Sequence, residues 1–173
     1  SIYTRGLNNK EKKQIISYSQ MNFLNDIYAP LYNYYFKKGF VEYQVVFPEE
    51  NALIAFKNLK SILTNNNAYS LMSSFKAYKA VKEPYIFGLV NNGYCISFDI
   101  PYSANLNMEN LIRKLNEITI KYSGQVYLAK TPSVNKDEFQ EMYPNYKKFS
   151  NIKSELDPDN ILQSNLSRRL GFN

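Results

Sequence analysis

Lysine, tyrosine, carboxylate and cysteine side chains are the groups in this sequence that could do chemistry, because histidine is absent. Its absence excludes Ser-His and Cys-His nucleophilic sites and histidine metal ligands from the chain. The single cysteine, Cys95, cannot form an internal disulfide, and a lone cysteine is more often a small buried apolar side chain than a nucleophile. Acid, base or electrophilic catalysis would therefore depend on Lys, Tyr, Asp, Glu or Cys, or on a cofactor. No metal site is expected.

Polar side chains recur at alternate positions in three segments that favour β-strands. FVEYQVVF at 40–47 is rich in β-branched and aromatic residues. Successive side chains of a strand point to opposite faces, so the alternation gathers one polar set on one side of a sheet: Glu42, Gln44, Ser74, Lys76, Cys95, Ser97 and Asp99. Such a set forms either the solvated face of an antiparallel sheet or the lining of a site. The residues alone leave both possibilities open.

The elements that must position these side chains follow the order β-α-β-β-α-β. Strands are predicted at 40–47, 68–79, 94–100 and 125–128, and helices at 49–64 and 108–122. Asn107 is expected to cap the second helix, with Gly124 just past its end. The first helix is expected to bury Leu53, Phe56, Leu59, Ile62 and Leu63. This order predicts an α+β fold, in which a split βαβ antiparallel sheet carries both helices on one face and leaves the polar set on the other.

Helical segments flank this sheet. Residues 1–10 show no clear period, and residues 11–37 favour a helix that is broken near Pro30. Short helices are predicted at 137–142 and 144–156, with little regular structure after 159, so that a helical C-terminal extension follows the sheet. The apolar residues of the tail need a surface that the chain does not show: Ile161, Leu162, Leu166, Leu170 and Phe172. The predicted domains are 1–39, a helical entry segment, 40–128, the sheet, and 129–173, the extension.

The net charge of +6 favours anionic partners without identifying them. A basic βαββαβ domain with many tyrosines is also typical of RNA-recognition modules, but neither YSLMSSFKAYK nor YCISFDIP fits the aromatic strand motif of those modules. No nucleic-acid partner is therefore expected. Nothing resembles a signal peptide or a long apolar span, so we expect a cytoplasmic protein or one peripheral at a membrane surface.

Five segments, read together, resemble the C-terminal half of the decaprenylphosphoryl-β-D-ribose 2-oxidase family: FVEYQVVFP, CISFDIP, GQVYLAK, MYP at 142–144 and LDPDNILQSNLSRRLGF. These proteins are FAD-linked oxidases of the vanillyl-alcohol-oxidase fold, related to the D-arabinono-1,4-lactone oxidases. The resemblance runs in the same order and with nearly the same spacing from about Phe40 to Phe172. It implies a substrate, or cap, domain followed by a return into an FAD-binding domain. That domain is expected to precede Ser1, so the chain is expected to be a fragment that is inactive alone.

The resemblance also implies roles for residues near the end of the sheet. A lysine in a Tyr-x-Ala-Lys pattern contacts flavin and sugar in the family, which implies that Lys130 is catalytic and that Tyr127, Ala129 and Lys130 contact FAD. A positioned ammonium stabilises the negative charge that develops on a flavin as it is reduced. In the tail, Ser164, Arg168 and Arg169 are expected to pack on the FAD-binding domain, and contact of the two arginines with anionic lipid is a weaker alternative.

The substrate positions of the family fall on the polar set. The resemblance implies substrate contacts for Glu42, Gln44, Lys76 and Ser97, and Cys95 lies on the same face. Glu42 stands where the family has glutamine and Ser97 where mycobacterial members have cysteine, so the identity of the substrate stays open. The chain lacks the His-Trp-Gly-Lys motif of the aldonolactone oxidases, which favours the polyprenyl-phosphoryl-sugar branch.

The function expected from the resemblance is FAD-dependent oxidation of a secondary alcohol of a sugar. The expected substrate is a lipid-phosphate-linked pentose, and a sugar lactone is the alternative. Hydride would pass to flavin N5, with Lys130 holding the substrate, while the base for the hydroxyl proton is not identified by the sequence. A domain that only binds or packs is a third possibility.

Overall fold

The protein is described by a computed structural model that covers residues 17–79, 85–86, 88–89, 92–130 and 134–172. The chain divides into two compact units, Ser1–Lys37 and Lys38–Asn173. The segment at 1–10 and the start of the helix predicted from residue 11 lie outside the described residues, as does part of the apolar sequence YIFGLV at 85–90.

The described residues of the first unit, from 17 onward, form two helices, α1 (Tyr18–Asn22) and α2 (Leu24–Tyr35). The predicted break near Pro30 is wrong, because α2 continues through Pro30 and the interruption falls at Phe23, whose φ of −116° and ψ of 50° are not helical. Proline holds φ near a helical value and removes one N–H donor, so a helix can continue through it at an energetic cost.

The second unit is built on a four-stranded antiparallel sheet with the strand order β2-β3-β1-β4. The predicted α+β fold with β-α-β-β-α-β order is confirmed. Its elements are β1 (Phe40–Pro48), α3 (Glu49–Asn65), β2 (Ser73–Tyr78), β3 (Gly93–Pro101), α4 (Met108–Lys121) and β4 (Gln125–Val126). Every neighbouring pair of strands is antiparallel, which is the pairing expected of a split βαβ sheet.

The strands β2 and β4 are shorter than predicted. The residues next to them are still hydrogen-bonded to the sheet, but their backbone is not in strand geometry. Before β2, the Leu71 N–H donates to Asp99 O at 3.2 Å and the Asp99 N–H donates to Met72 O at 3.1 Å. After β4, the Tyr127 N–H still donates to Gln44 O at 2.8 Å, and a turn begins at once. These bonds tie both irregular segments to the central strands.

The core lies between the sheet and the helices α3 and α4. Val41, Tyr43, Val45 and Phe47 of β1 are buried on this side. The Tyr43 hydroxyl donates to Asn116 Oδ1 of α4 at 3.0 Å, and burial raises its pKa. This bond satisfies a polar group in an apolar core.

The buried side of α3 differs from the predicted one in one respect. Leu59 and Leu63 are buried, as predicted, but Leu53 is exposed, and Ala52 and Ala55 take its place. The stripe formed by positions 52, 55, 59 and 63 follows the helical period. Leu53 lies outside this stripe and is therefore exposed.

Both ends of α4 agree with the prediction to within one residue, since the helix ends at Lys121 and Gly124 lies just past it. Asn107 Oδ1 accepts the Asn110 N–H at 3.0 Å, which confirms the cap. The residue with left-handed backbone after the helix is Ser123, at φ 55°, and not Gly124. Gly124 is needed for another reason, because a Cβ there would lie 2.5 Å from Phe47 Cε1.

Three helices complete the unit: α5 (Lys136–Met142), α6 (Tyr146–Leu156) and α7 (Asn165–Leu170). The absence of regular structure predicted after residue 159 is wrong, because α7 lies there. Ser164 and Ser167 form a capping box at its start, and Gly171, at φ 78°, ends it. A helix of six residues is too short to show a hydrophobic period in the sequence.

The tail also finds a partner that the sequence did not reveal. Leu170 and Phe172 are buried, and the Phe172 ring packs edge-on against Phe139 and Phe149 with centroid distances of 5.1 Å and 5.0 Å. The expectation that the tail has no surface within the chain is therefore wrong for these two residues. Ile161 and Leu162 remain exposed, by 77% and 73%. No helix in the described part of the chain is long and apolar enough to cross a membrane.

Candidate functional site

The polar set lies on the sheet face opposite α3 and α4. Strand register places Glu42 across from Asp99, Gln44 across from Ser97, and Ser97 also across from Ser74. Lys76 stands opposite Cys95 at the next position along the sheet. The strand pairing thus brings all seven polar residues onto one surface, which we call the polar face.

Lys130 reaches the polar face from the turn after β4. Its N–H donates to Tyr127 O at 3.0 Å, and Tyr127 is in turn bonded through its own N–H to Gln44 of the central strand. The Lys130 ammonium lies 2.8 Å from Glu42 Oε2. The hydrogen bond and charge of Glu42 raise the pKa of Lys130. The turn therefore holds a protonated lysine at the edge of the face.

This ion pair is partly open to solvent. The Lys130 side chain is 46% exposed and that of Glu42 is 25% exposed. Tyr127 is also exposed, and Ala129 lies in the same exposed turn. These four residues form a rim that a ligand above the face can contact.

Asp99 and Ser74 belong to the polar face without a predicted role in the site, and Asp99 is the ionisable one of the two. It is 9% exposed, and its N–H is within 3.0 Å of Ser70 Oγ, which accepts a hydrogen bond. Burial raises the pKa of its carboxyl group, the charge of Glu42 raises it further, and Lys130 opposes both. The alternating pattern already placed Asp99 and Glu42 on the same face. Pairing the two strands in the sequence would have shown that these two carboxylates are neighbours.

The interior of the polar face is bonded internally. Gln44 Nε2 donates to Cys95 Sγ at 3.4 Å, and the Ser74 and Ser97 hydroxyls lie 2.8 Å apart. Cys95 is fully buried, and burial raises the pKa of its thiol. Cys95 therefore supports Gln44 and is not exposed to a substrate in this conformation. Lys76 is exposed at the β2 side of the face.

The polar face is only partly accessible to solvent, since Gln44, Cys95, Ser97 and Asp99 are at most 9% exposed. Two clefts of the chain lie elsewhere. One cleft, of about 440 Å³, has Gly124, Gln125 and Met142 in its lining. Another, of about 490 Å³, is an apolar groove lined by Phe149 of α6, Leu166 and Leu170 of α7, and Leu162 between the two helices. Neither includes Lys130 or Glu42. Among the described residues no cluster of three or more metal-ligating side chains occurs.

Fold and face together define an α+β domain with one side covered by helices and one polar side that carries a lysine. Residues 94–170 match the sequence model of the family described as D-arabinono-1,4-lactone oxidase. The chain is 27% identical over 84% of its length to decaprenylphosphoryl-beta-D-ribose oxidase from Mycolicibacterium smegmatis, of which it covers 31%. It is 21% identical over 78% of its length to L-gulono-1,4-lactone dehydrogenase from Mycobacterium tuberculosis, again covering 31% of that protein.

These matches confirm the resemblance that the five segments indicated. The relatives are oxidases and dehydrogenases, so the chain is related to oxidoreductases that are named for sugar-type substrates. The chain spans about a third of the length of these curated relatives. Nothing in the matches assigns a role to a particular residue.

Proposed function

We propose that this chain forms the substrate wall of an FAD-dependent oxidoreductase that oxidises a secondary alcohol of a sugar. The observation that carries the proposal is the Lys130 ammonium, which is held 2.8 Å from Glu42 at the edge of the polar face. An FAD-binding domain is the proposed partner, because the polar face with its exposed rim is one wall of a site and needs a second one. The relationship to sugar oxidases and dehydrogenases supports this reading.

The residues on the rim fit one edge of a flavin ring. FAD, when bound, supplies the oxidant by accepting a hydride at N5. The Lys130 ammonium is suited to the negative charge near N1 and C2=O of the flavin, and the exposed Tyr127 and Ala129 offer contact surface beside it. Glu42 keeps the lysine protonated and directed at the face.

The polar face is the proposed substrate surface. Glu42 and Lys76 present accessible hydrogen-bonding groups suited to sugar hydroxyls. Gln44 and Ser97, which are 6% and 5% exposed, are further proposed contacts on the same face, with Cys95 as support for Gln44. Lys76 is exposed and cationic, which suits a phosphate group on the sugar. We therefore infer a polyprenyl-phosphoryl pentose as the substrate. As a separate proposal, we place the protein in the cytoplasm or at the periphery of a membrane.

A sugar lactone is the second candidate substrate. The match of residues 94–170 to the D-arabinono-1,4-lactone oxidase family favours it. Binding of nucleic acid is disfavoured, because Glu42 and Asp99 place two carboxylates on the face that an RNA-recognition module would use for stacking.

Anaerobic reduction of the flavin tests the proposal. The chain is assembled with the proposed FAD-binding domain and loaded with FAD, and we call this assembly the FAD-loaded protein. It is mixed with a polyprenyl-phosphoryl ribose analogue or with D-arabinono-1,4-lactone, and the flavin absorbance is followed by stopped flow. We expect bleaching with one of the two classes, and a loss of roughly 10²–10³-fold in rate for Lys130→Ala with the fold intact. Lys147→Ala, on an exposed part of α6, is the matched control. A Lys130→Ala protein that turns over at the normal rate contradicts the site.

A further inference from the structure

The Asp99 carboxyl is the ionisable group of the polar face that the proposed function leaves without a task. Asp99 lies on β3 directly opposite Glu42 of β1. Its N–H is bonded to Ser70 Oγ at 3.0 Å and to Met72 O at 3.1 Å. Both bonds come from the segment before β2, and β1 pairs with the other side of β3. The sheet therefore fixes the backbone of Asp99 and the face on which its side chain lies.

We propose that Asp99 is the base that takes the proton of the sugar hydroxyl. The assignment rests on the proposed function, because a base is needed only if an alcohol is oxidised at this face. It adds a residue to a reaction for which the sequence identified no proton acceptor. Asp99 pairs across the sheet with Glu42, and the other ionisable groups near it are already engaged.

The other ionisable groups near Asp99 are less suited to accept a proton. Lys130 is already protonated, and its contact with Glu42 raises its pKa further. Glu42 is committed to that ammonium at 2.8 Å. Cys95 is fully buried. Lys76, on β2, stands opposite Cys95 and is itself a cation.

Electrostatics favour the arrival of a proton on Asp99. Burial and the charge of Glu42 both raise the pKa of the Asp99 carboxyl, and the charge of Lys130 partly offsets them. Both raising effects penalise the carboxylate, so protonation relieves the repulsion between the two acidic side chains. A base whose pKa lies closer to the working pH takes a proton more readily than an ordinary exposed aspartate.

The proposed step conserves atoms and charge. The substrate O–H bond breaks and its proton goes to an Asp99 carboxylate oxygen. The C–H bond of the same carbinol carbon breaks as a hydride leaves for the flavin oxidant, and the electron pair from the O–H bond forms the C=O bond. Lys130 stabilises the negative charge on the oxygen while the proton departs. The proton is afterwards released to solvent, which restores the carboxylate.

Substitution of Asp99 in the FAD-loaded protein tests the assignment. We expect Asp99→Asn to slow anaerobic flavin bleaching by roughly 10²–10⁴-fold at neutral pH. We also expect it to remove the acidic limb of the pH profile, and formate to rescue part of the rate in Asp99→Ala. The control is Asp159→Asn, at an exposed position, and thermal melting shows whether each variant folds. Formate rescue and loss of the limb distinguish a base from a structural residue.

A titration adds a readout that does not depend on turnover. Carbon-13 NMR of aspartate-labelled, FAD-loaded protein is expected to show one carboxyl with a raised pKa, whose signal disappears in Asp99→Asn. An Asp99 signal that titrates at or below the ordinary value of about 3.9 overturns the assignment.

The outcomes separate this assignment from the proposed function. Bleaching that is equally fast in Asp99→Asn and wild type overturns the base and leaves the proposed function standing. A slow variant with an unchanged pH profile and no formate rescue also overturns the base. A wild-type protein that no sugar or lactone bleaches overturns the proposed function and the base with it.

Discussion

Substitution of Gly124 by alanine should destabilise the protein, and the size of the effect can be worked out from the core. An added Cβ would lie 2.5 Å and 2.6 Å from Phe47 Cε1 and Cδ1, and 3.1 Å from Thr119 Cγ2. The first two distances are shorter than side chains tolerate. The Phe47 ring is fully buried and packs edge-on against Phe56 at 5.6 Å, so it cannot move aside without disturbing the core.

Two opposing terms set the expected magnitude. Overpacking a well-packed core costs about 1–3 kcal/mol, whereas replacing glycine by alanine stabilises by about 0.4–1 kcal/mol through the unfolded chain. The backbone of Gly124 is not left-handed, so no further strain is expected. The net loss should be about 1–2 kcal/mol in the free energy of unfolding.

Urea unfolding followed by circular dichroism measures this loss. The neighbouring change Ser123→Gly is the matched control with the opposite sign, because Ser123 adopts φ 55° and glycine relieves that strain. Phe47→Leu combined with Gly124→Ala should recover part of the loss by making room for the methyl group. A Gly124→Ala protein at least as stable as wild type would refute the argument from close packing.

Three further predictions concern charged and nucleophilic groups. Glu42→Gln should lower the pKa of Lys130, which NMR of the ammonium measures. A double-mutant cycle should give a coupling energy of about 0.2–1 kcal/mol for this partly exposed pair. An unchanged Lys130 pKa would contradict the contact. The pKa of Asp157 is lowered by its bond to Lys153, so its stabilisation is present above the ordinary aspartate pKa and is lost as pH falls through the lowered value. Asp157→Asn should flatten this acid dependence in urea melts. Cys95, buried with a raised thiol pKa, should react with a thiol reagent only after unfolding, and fast reaction in the native protein would show that the polar face opens.

Local sequence pattern was sufficient for the sheet and for the membership of the polar face. Alternation along 40–47 and 94–100 assigns Glu42 and Asp99 to one side, since the side-chain period of a strand is two. The Asn107 cap could likewise be predicted, because a cap acts within four residues of the chain. The order of helices and strands followed from the same local signals.

Local pattern was insufficient where the bounds or the burial of an element depend on a distant contact, or where the element is too short to show a period. The six residues of α7 are too few for a visible period, and their burial depends on Phe139 and Phe149. The strand predicted from 68 begins at Ser73, because the bonds to Asp99 hold the earlier residues in irregular geometry. The exposure of Leu53 depends on how closely α3 packs on the sheet, which its own period does not specify.

By itself the sequence determined that polar side chains share one face of a split βαβ sheet and that a lysine follows its last strand. The tertiary structure alone decided that Lys130 meets Glu42 and that Asp99 lies beside that pair in a partly desolvated position. The physical reason is that a strand's own period fixes which way each side chain points. Which charges come within a few ångströms depends on strand order and register, which bring together residues far apart in the chain.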